Sequence, residues 1–175
     1  MMVLMSSRDS KSKDVAHLAL LISLALVFSY VEAIIPFNPG IPGVKLGVAN
    51  IVTVITLYMF GNRDAFIVSV IRVLIAGLLF NGVFGACYAM AGAAVSLTGM
   101  VLLRKTGLFS PVGVSMAGGV LHNLGQLLVA AALIEDMKIF FYFPVLMFSG
   151  IIAGIAVGAG SVLILARLKK SVLIK

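Results

Sequence analysis

The sequence predicts an all-α integral membrane protein: a bundle of six transmembrane helices with both termini in the cytoplasm. Three observations predict it. Hydrophobic residues make up 62% of the 175 and charged residues only 11%, with a mean hydropathy of +1.20. A soluble domain sits nearer half apolar and about a quarter charged. The length accommodates roughly six spans of about 20 residues with short connections, leaving no room for a soluble catalytic head. The basic residues are also placed asymmetrically. With the N-terminus inside, ten of them (Arg8, Lys11, Lys13, Arg63, Arg104, Lys105, Arg167, Lys169, Lys170 and Lys175) fall on the inner side and two, Lys45 and Lys138, on the outer side. That is the positive-inside pattern. Five spans would place the C-terminal cluster outside.

Residues 1–14 are polar and read as a cytoplasmic tail, residues 15–170 as one membrane domain, and 171–175 as a second short tail. The first apolar run, from Val15 to Ile35, is too long for a signal-peptide core and ends in "IIPFNPG" without a small-x-small cleavage site, so it reads as span one. "PFNPGIPG" at 36–43 is a loop, because its prolines cannot continue a helix. Span two is expected over Lys45–Phe60. It is short, and therefore either little tilted or partly shielded by protein. "GNRD" at 61–64 is a tight turn, with Asn62 expected as helix N-cap and Asp64 suited to a first turn. Span three follows over 65–80, "NG" turns the chain at 81–82, and span four runs over 83–103 to "RKTG". Span five is expected over 112–134, ended by "EDMK", and span six over 141–168, over-long enough that its start lies along the interface.

Small residues recur four apart: Gly150, Gly154 and Gly158 in span six, and Gly85, Ala89 and Ala93 in span four, with Gly92 and Ser96 beside them. In lipid such stripes let helix backbones approach closely. Span one carries Ala16, Ala19 and Ser23. The sequence does not fix whether that stripe packs inside the bundle or faces a partner.

The costly residues are polar. In "GGVLHNLGQLLVA" (118–130), His122, Asn123 and Gln126 fall within one sector of about 100° of the helix, and Gly119 lies in the same sector and is expected to leave space beside them. Arg72 sits near mid-bilayer, where a charge costs at least about 2.5 kcal/mol on insertion scales. Glu32 is its expected partner. Asn50 and Tyr88 add polar tips at similar depth. Three readings stand: these groups staple the bundle by bonding one another; they line a small-molecule pocket opening outward, with Arg72 taking an anion or carbonyl; or His122 serves a proton relay, which no intramembrane Asp or Glu continues inward to His17.

Several functions are disfavoured. The basic residues flank spans instead of forming a patch, so no nucleic-acid partner is expected. The sequence has no P-loop, no D-D-x-x-D aspartate cluster of the kind that holds Mg²⁺ on a diphosphate, no paired haem histidines and no nucleophile–base pair. Its single cysteine, Cys87, permits no internal disulfide. No catalytic residue, metal or cofactor is expected.

The basic tail, the short spans, "PFNPGIPGVKLGVANIVTVITLYMFGNRDA", "VIRVLIAGLLFNG" and "GGVLHNLGQLLVA" resemble the membrane substrate-binding subunits (S components) of energy-coupling-factor transporters. Within these they are similar to the Gx transporter subgroup, often labelled heptaprenyl diphosphate synthase component I. The resemblance covers about residues 15–170 and implies a multi-pass subunit of a prokaryotic plasma membrane. Such a subunit captures a small molecule (a vitamin, a flavin, or an isoprenoid or quinone precursor) and docks on a transmembrane coupling protein driven by two cytoplasmic ATPases. It further implies that a small-residue stripe on the first helix makes the docking contact, for which Ala16, Ala19 and Ser23 are the nearest match. Ser23 stands where the family's pattern has alanine. The alternative is an accessory subunit of a membrane redox or prenyl-quinone assembly that transports nothing.

Overall fold

The computed structural model describes residues 2–35 and 46–172. The expected Pro/Gly loop at 36–43 and Lys45 lie outside these residues. The described chain is helical: α1 Met2–Ile34, α2 Asn50–Met59, α3 Asn62–Thr106, α4 Pro111–Ile134 and α5 Phe143–Val172, with a 3₁₀ turn at Met137–Tyr142 before α5. Four stretches are long and apolar enough to cross a membrane: Asp14–Ile34, Asn62–Thr106, Pro111–Ile134 and Met137–Leu168.

The 45-residue α3 is not one rod. Gly82 breaks it with φ 69° and ψ −176°, a backbone conformation that glycine adopts without a Cβ penalty. The two arms, 62–81 and 83–106, fold back on each other. Arg104 Nη1 donates to Asn62 Oδ1 across 3.1 Å, joining the first residue of α3 to its last turn, and Ala65 shares a buried cluster with Leu97 and Met100. Near the fold, a Cβ on Gly77 would stand 2.8 Å from the Ala86 Cα. The "NG" signal thus marks a hairpin, and the bundle has six helical segments among the described residues.

Two local expectations need correction. Asn62 is not the N-cap: Gly61 takes that position, and the Asn62 side chain bonds Arg104 instead. The second apolar run yields only the ten-residue α2, about 15 Å at 1.5 Å per residue, because Gly47 at φ 72° and the turn after it stop the helix from starting earlier. Its residues Val52 to Leu57 are all buried, so this helix is wrapped by protein. The polar residues 2–14 are helical and continuous with α1.

Large apolar side chains point outward, among them Leu20, Leu79, Phe84, Ile152 and Leu163. Alanine, valine and serine dominate the inside, including Ala25, Ala65, Ser69, Ser115 and Ser161. This inverts the soluble pattern and suits a hydrocarbon surround, where close approach of small residues associates helices. The chain is a membrane protein. Its tightest seam joins α4 to α5: a Cβ on Gly154 would lie 2.6 Å from Met116 Cα, and one on Gly158 2.7 Å from Val112 Cα. The span-six stripe is thus internal packing. Part of the span-four stripe is too, since Gly92 and Ser96 face α4, with Ser96 Oγ donating to Gly118 O at 2.8 Å. The span-one stripe behaves differently. Ala16, Ala19 and Ser23 are all exposed, while α1 uses another face, including Ala25, to pack on α2 and α3.

A polar cavity at one end of the bundle

Every helix contributes to a cavity of about 400 Å³. It lies at the end of the bundle that holds the Gly82 hairpin. Its walls come from the C-terminal part of α1 (Ser29, Glu32), the turn into α2 and its first residue (Gly47, Asn50), both arms of α3 (Arg72, Phe80, Asn81 and Ala89), the middle of α4 (His122, Asn123, Gln126), and the N-terminal part of α5 (Ser149, Ala153). Arg63, Arg104, Lys105, Arg167 and Lys170 belong to the opposite ends of these same helices.

Six of the seven expected site residues line this one cavity: Glu32, Asn50, Arg72, His122, Asn123 and Gln126. Tyr88 is not among its lining residues; the neighbouring Ala89 takes the wall position. Arg72 lies ten residues from Asn62 and ten from Gly82, at the middle of its arm. Its Nη2 donates to Asn50 Oδ1 at 3.0 Å, and its Nε is buried with no hydrogen-bond partner. Glu32 acts on Arg72 through its charge, while its hydrogen bond goes elsewhere. Glu32 Oε1 accepts from the Gly47 N–H at 2.7 Å, because the left-handed turn at Gly47 aims that backbone donor at α1. The carboxylate thereby ties the end of α1 to the entry of α2.

The polar face of α4 divides its work. Asn123 Nδ2 donates to Leu146 O at 2.7 Å and to Ser149 Oγ at 3.3 Å, both on α5. It staples two helices as well as lining the cavity. His122 and Gln126 pack beside Gly92, where a Cβ would meet either side chain at 2.9 Å. Gly119 lines the cavity as expected, but the direction a side chain would take is filled by the Gly150 backbone, so this glycine serves helix contact as well as the cavity wall.

Ser29, Asn81 and Ser149 were not legible as wall residues. Ser29 lies three residues before Glu32, on the same helix face, and that spacing was available as a signal. Asn81 reads as part of the "NG" turn, and Ser149 carries no sequence signal of its own beside Gly150.

The family profile described as heptaprenyl diphosphate synthase component I matches residues 21–164. The chain belongs to this family. The match spans from the middle of α1 to near the end of α5 and takes in every described wall of the cavity. No curated protein and no solved structure matches this chain.

Proposed function

We propose that this chain is the membrane substrate-binding subunit of an ATP-driven energy-coupling-factor importer. It captures a small molecule, such as a vitamin, a flavin or an isoprenoid or quinone precursor, in an outward-facing pocket. The observation that carries the reading is the polar cavity at the end of the bundle opposite the basic residues. The positive-inside rule puts that basic end in the cytoplasm and the cavity mouth outside. In this reading α1, α2, the two arms of α3, α4 and α5 are six spans, both termini are cytoplasmic, and the chain is a multi-pass protein of a prokaryotic plasma membrane.

The reading assigns no catalysis to this chain. It assigns the exposed Ala16, Ala19 and Ser23 to docking on a transmembrane coupling protein, itself driven by two cytoplasmic ATPases. Exposed small residues on a lipid-facing helix suit such a contact, because they admit another helix closely. The family's description favours a second reading, a non-transporting accessory subunit of a prenyl-quinone assembly.

Topology and partner test the two. A cysteine placed at Asp136 should react with an impermeant thiol reagent in intact cells, and one at Thr106 should be protected. The reverse pattern would turn the cavity inward and remove the importer reading. Ala19→Trp should abolish co-purification with a coupling protein and its ATPases while leaving the purified subunit folded and its ligand bound. If the wild type captures no such ATPases and instead brings down prenyl-transfer enzymes, the accessory reading prevails.

A further inference from the structure

The cavity also constrains what enters it. The following step rests on the capture reading above and deepens it to a substrate class. Among the described wall residues, one is cationic and one anionic: Arg72 and Glu32. The Glu32 carboxylate is already engaged by the Gly47 N–H. Arg72 has spent one nitrogen on Asn50, while its Nε has no partner and no access to solvent. A buried N–H left unpaired is costly, and a charged one more so. The cavity reaches the Arg72 side chain itself, so a compact acceptor that enters to the middle of the bundle meets the under-bonded guanidinium there.

Charge balance then sets a limit. A diphosphate brings several negative charges into this site. Among the described wall residues, with His122 neutral, one arginine beside a carboxylate does not offset them, and a poorly compensated charge is expensive at this depth. The volume sets a second limit. About 400 Å³ is near the lower end of the roughly 300–1,000 Å³ typical of small-molecule sites, the scale of a one- or two-ring compound and not of seven isoprene units. The rest of the wall is suited to a ring with mixed donors and acceptors: Asn81 and Gln126 offer amides, Ser29 a hydroxyl, and Phe80 an apolar face.

We infer that the cavity takes a compact ring compound carrying at most one negative charge, whose carboxylate or carbonyl oxygen accepts from Arg72, and that it rejects diphosphates. The family's description would suggest a prenyl diphosphate; the charges lining the cavity oppose one.

A charge series tests this on the full-length protein in lipid nanodiscs, by thermal unfolding with 2-naphthoate, 2-naphthyl phosphate and geranyl diphosphate as probes. Stabilisation should follow mass action and fall in that order. 2-Naphthoate should raise the melting temperature by a few degrees, and geranyl diphosphate should leave it unchanged. Arg72→Met and Arg72→Lys should both lose the 2-naphthoate shift, the second because it keeps the charge but not the planar fork of donors that matches a carboxylate. Glu32→Gln removes the opposing charge and should strengthen 2-naphthoate binding several-fold. A larger shift with geranyl diphosphate than with 2-naphthoate overturns the inference while leaving small-molecule capture standing, and this comparison needs only the wild type. A 2-naphthoate shift that survives in Arg72→Met also overturns it. No shift with any probe overturns it too. If, in addition, the denatured protein releases no bound small molecule, the capture reading falls with it.

Discussion

Gly119→Val should abolish a stably folded bundle, and Gly119→Ala should already weaken it. At this position α4 and α5 touch through backbone. A Cβ on Gly119 would overlap the Gly150 carbonyl oxygen, and one on Gly150 would lie 2.8 Å from the Gly119 oxygen. Neither neighbour is a side chain that can rotate away, so the helices must separate. Separation also loosens the contacts at Gly154 and Gly158 along the same seam. Overpacking a well-packed site costs about 1–3 kcal/mol and occasionally more, a large part of the 5–15 kcal/mol that typically holds a domain together. In lipid there is no hydrophobic gain to draw on, since tails are as apolar as the side chains. The expected result is a lower melting temperature in detergent for Gly119→Ala and aggregated material on size exclusion for Gly119→Val. Ile152→Val, on the exposed face of α5, should match wild type. A Gly119→Val protein that melts like wild type would mean that the α4–α5 seam is not what holds these helices.

Much of the architecture was legible because lipid imposes simple rules. Apolar runs, Gly82 and the charge asymmetry predict the helices and their order. What was not legible depends on three-dimensional neighbours. Gly119 on a helical wheel looks like room for a ligand, and it does line the cavity; only the position of α5 reveals that the Gly150 backbone fills the direction a side chain would take. Glu32 and Arg72 look like an ion pair because opposite charges in lipid should seek each other. The left-handed turn at Gly47 supplies a backbone donor to Glu32, and the Asn50 side chain, three residues on, takes Arg72. The sector shared by His122, Asn123 and Gln126 correctly brought them to one cavity, yet it could not separate Asn123, which is bonded to α5, from Gln126 on the same wall. Tyr88 fails for the same reason: depth was readable, while facing depended on how the second arm of α3 is rotated.

The contrast between Arg72 and Asn123 gives the sharpest test of what the polar residues are for. Arg72→Met keeps most of the side-chain length and removes the charge. Its effect on folding is a contest. The loss of the bond to Asn50 Oδ1 is worth about 1.5–3 kcal/mol for a charged donor. Against that, burying a charge at mid-bilayer costs at least about 2.5 kcal/mol on insertion scales, and the unpaired Nε adds its own desolvation cost. The two sides nearly cancel, so the empty protein should melt within a few degrees of wild type, or above it. Binding has no such compensation. The captured molecule loses the one cation among the described cavity walls, and affinity should fall at least 100-fold, about 2.7 kcal/mol at 1.36 kcal/mol per decade. Asn123→Ala should behave in the opposite way. It removes the bonds to Leu146 O and Ser149 Oγ, and interhelical bonds in lipid are worth about 0.6 kcal/mol on average and at most about 1.7. Its melting temperature should therefore drop while the ligand-induced shift persists. Melting curves of both variants with and without the co-purifying molecule decide the matter. A residue retained for binding at the expense of stability is released when mutated; a staple is not. If Arg72→Met collapses and Asn123→Ala loses only binding, Arg72 is the staple and Asn123 the contact to the captured molecule.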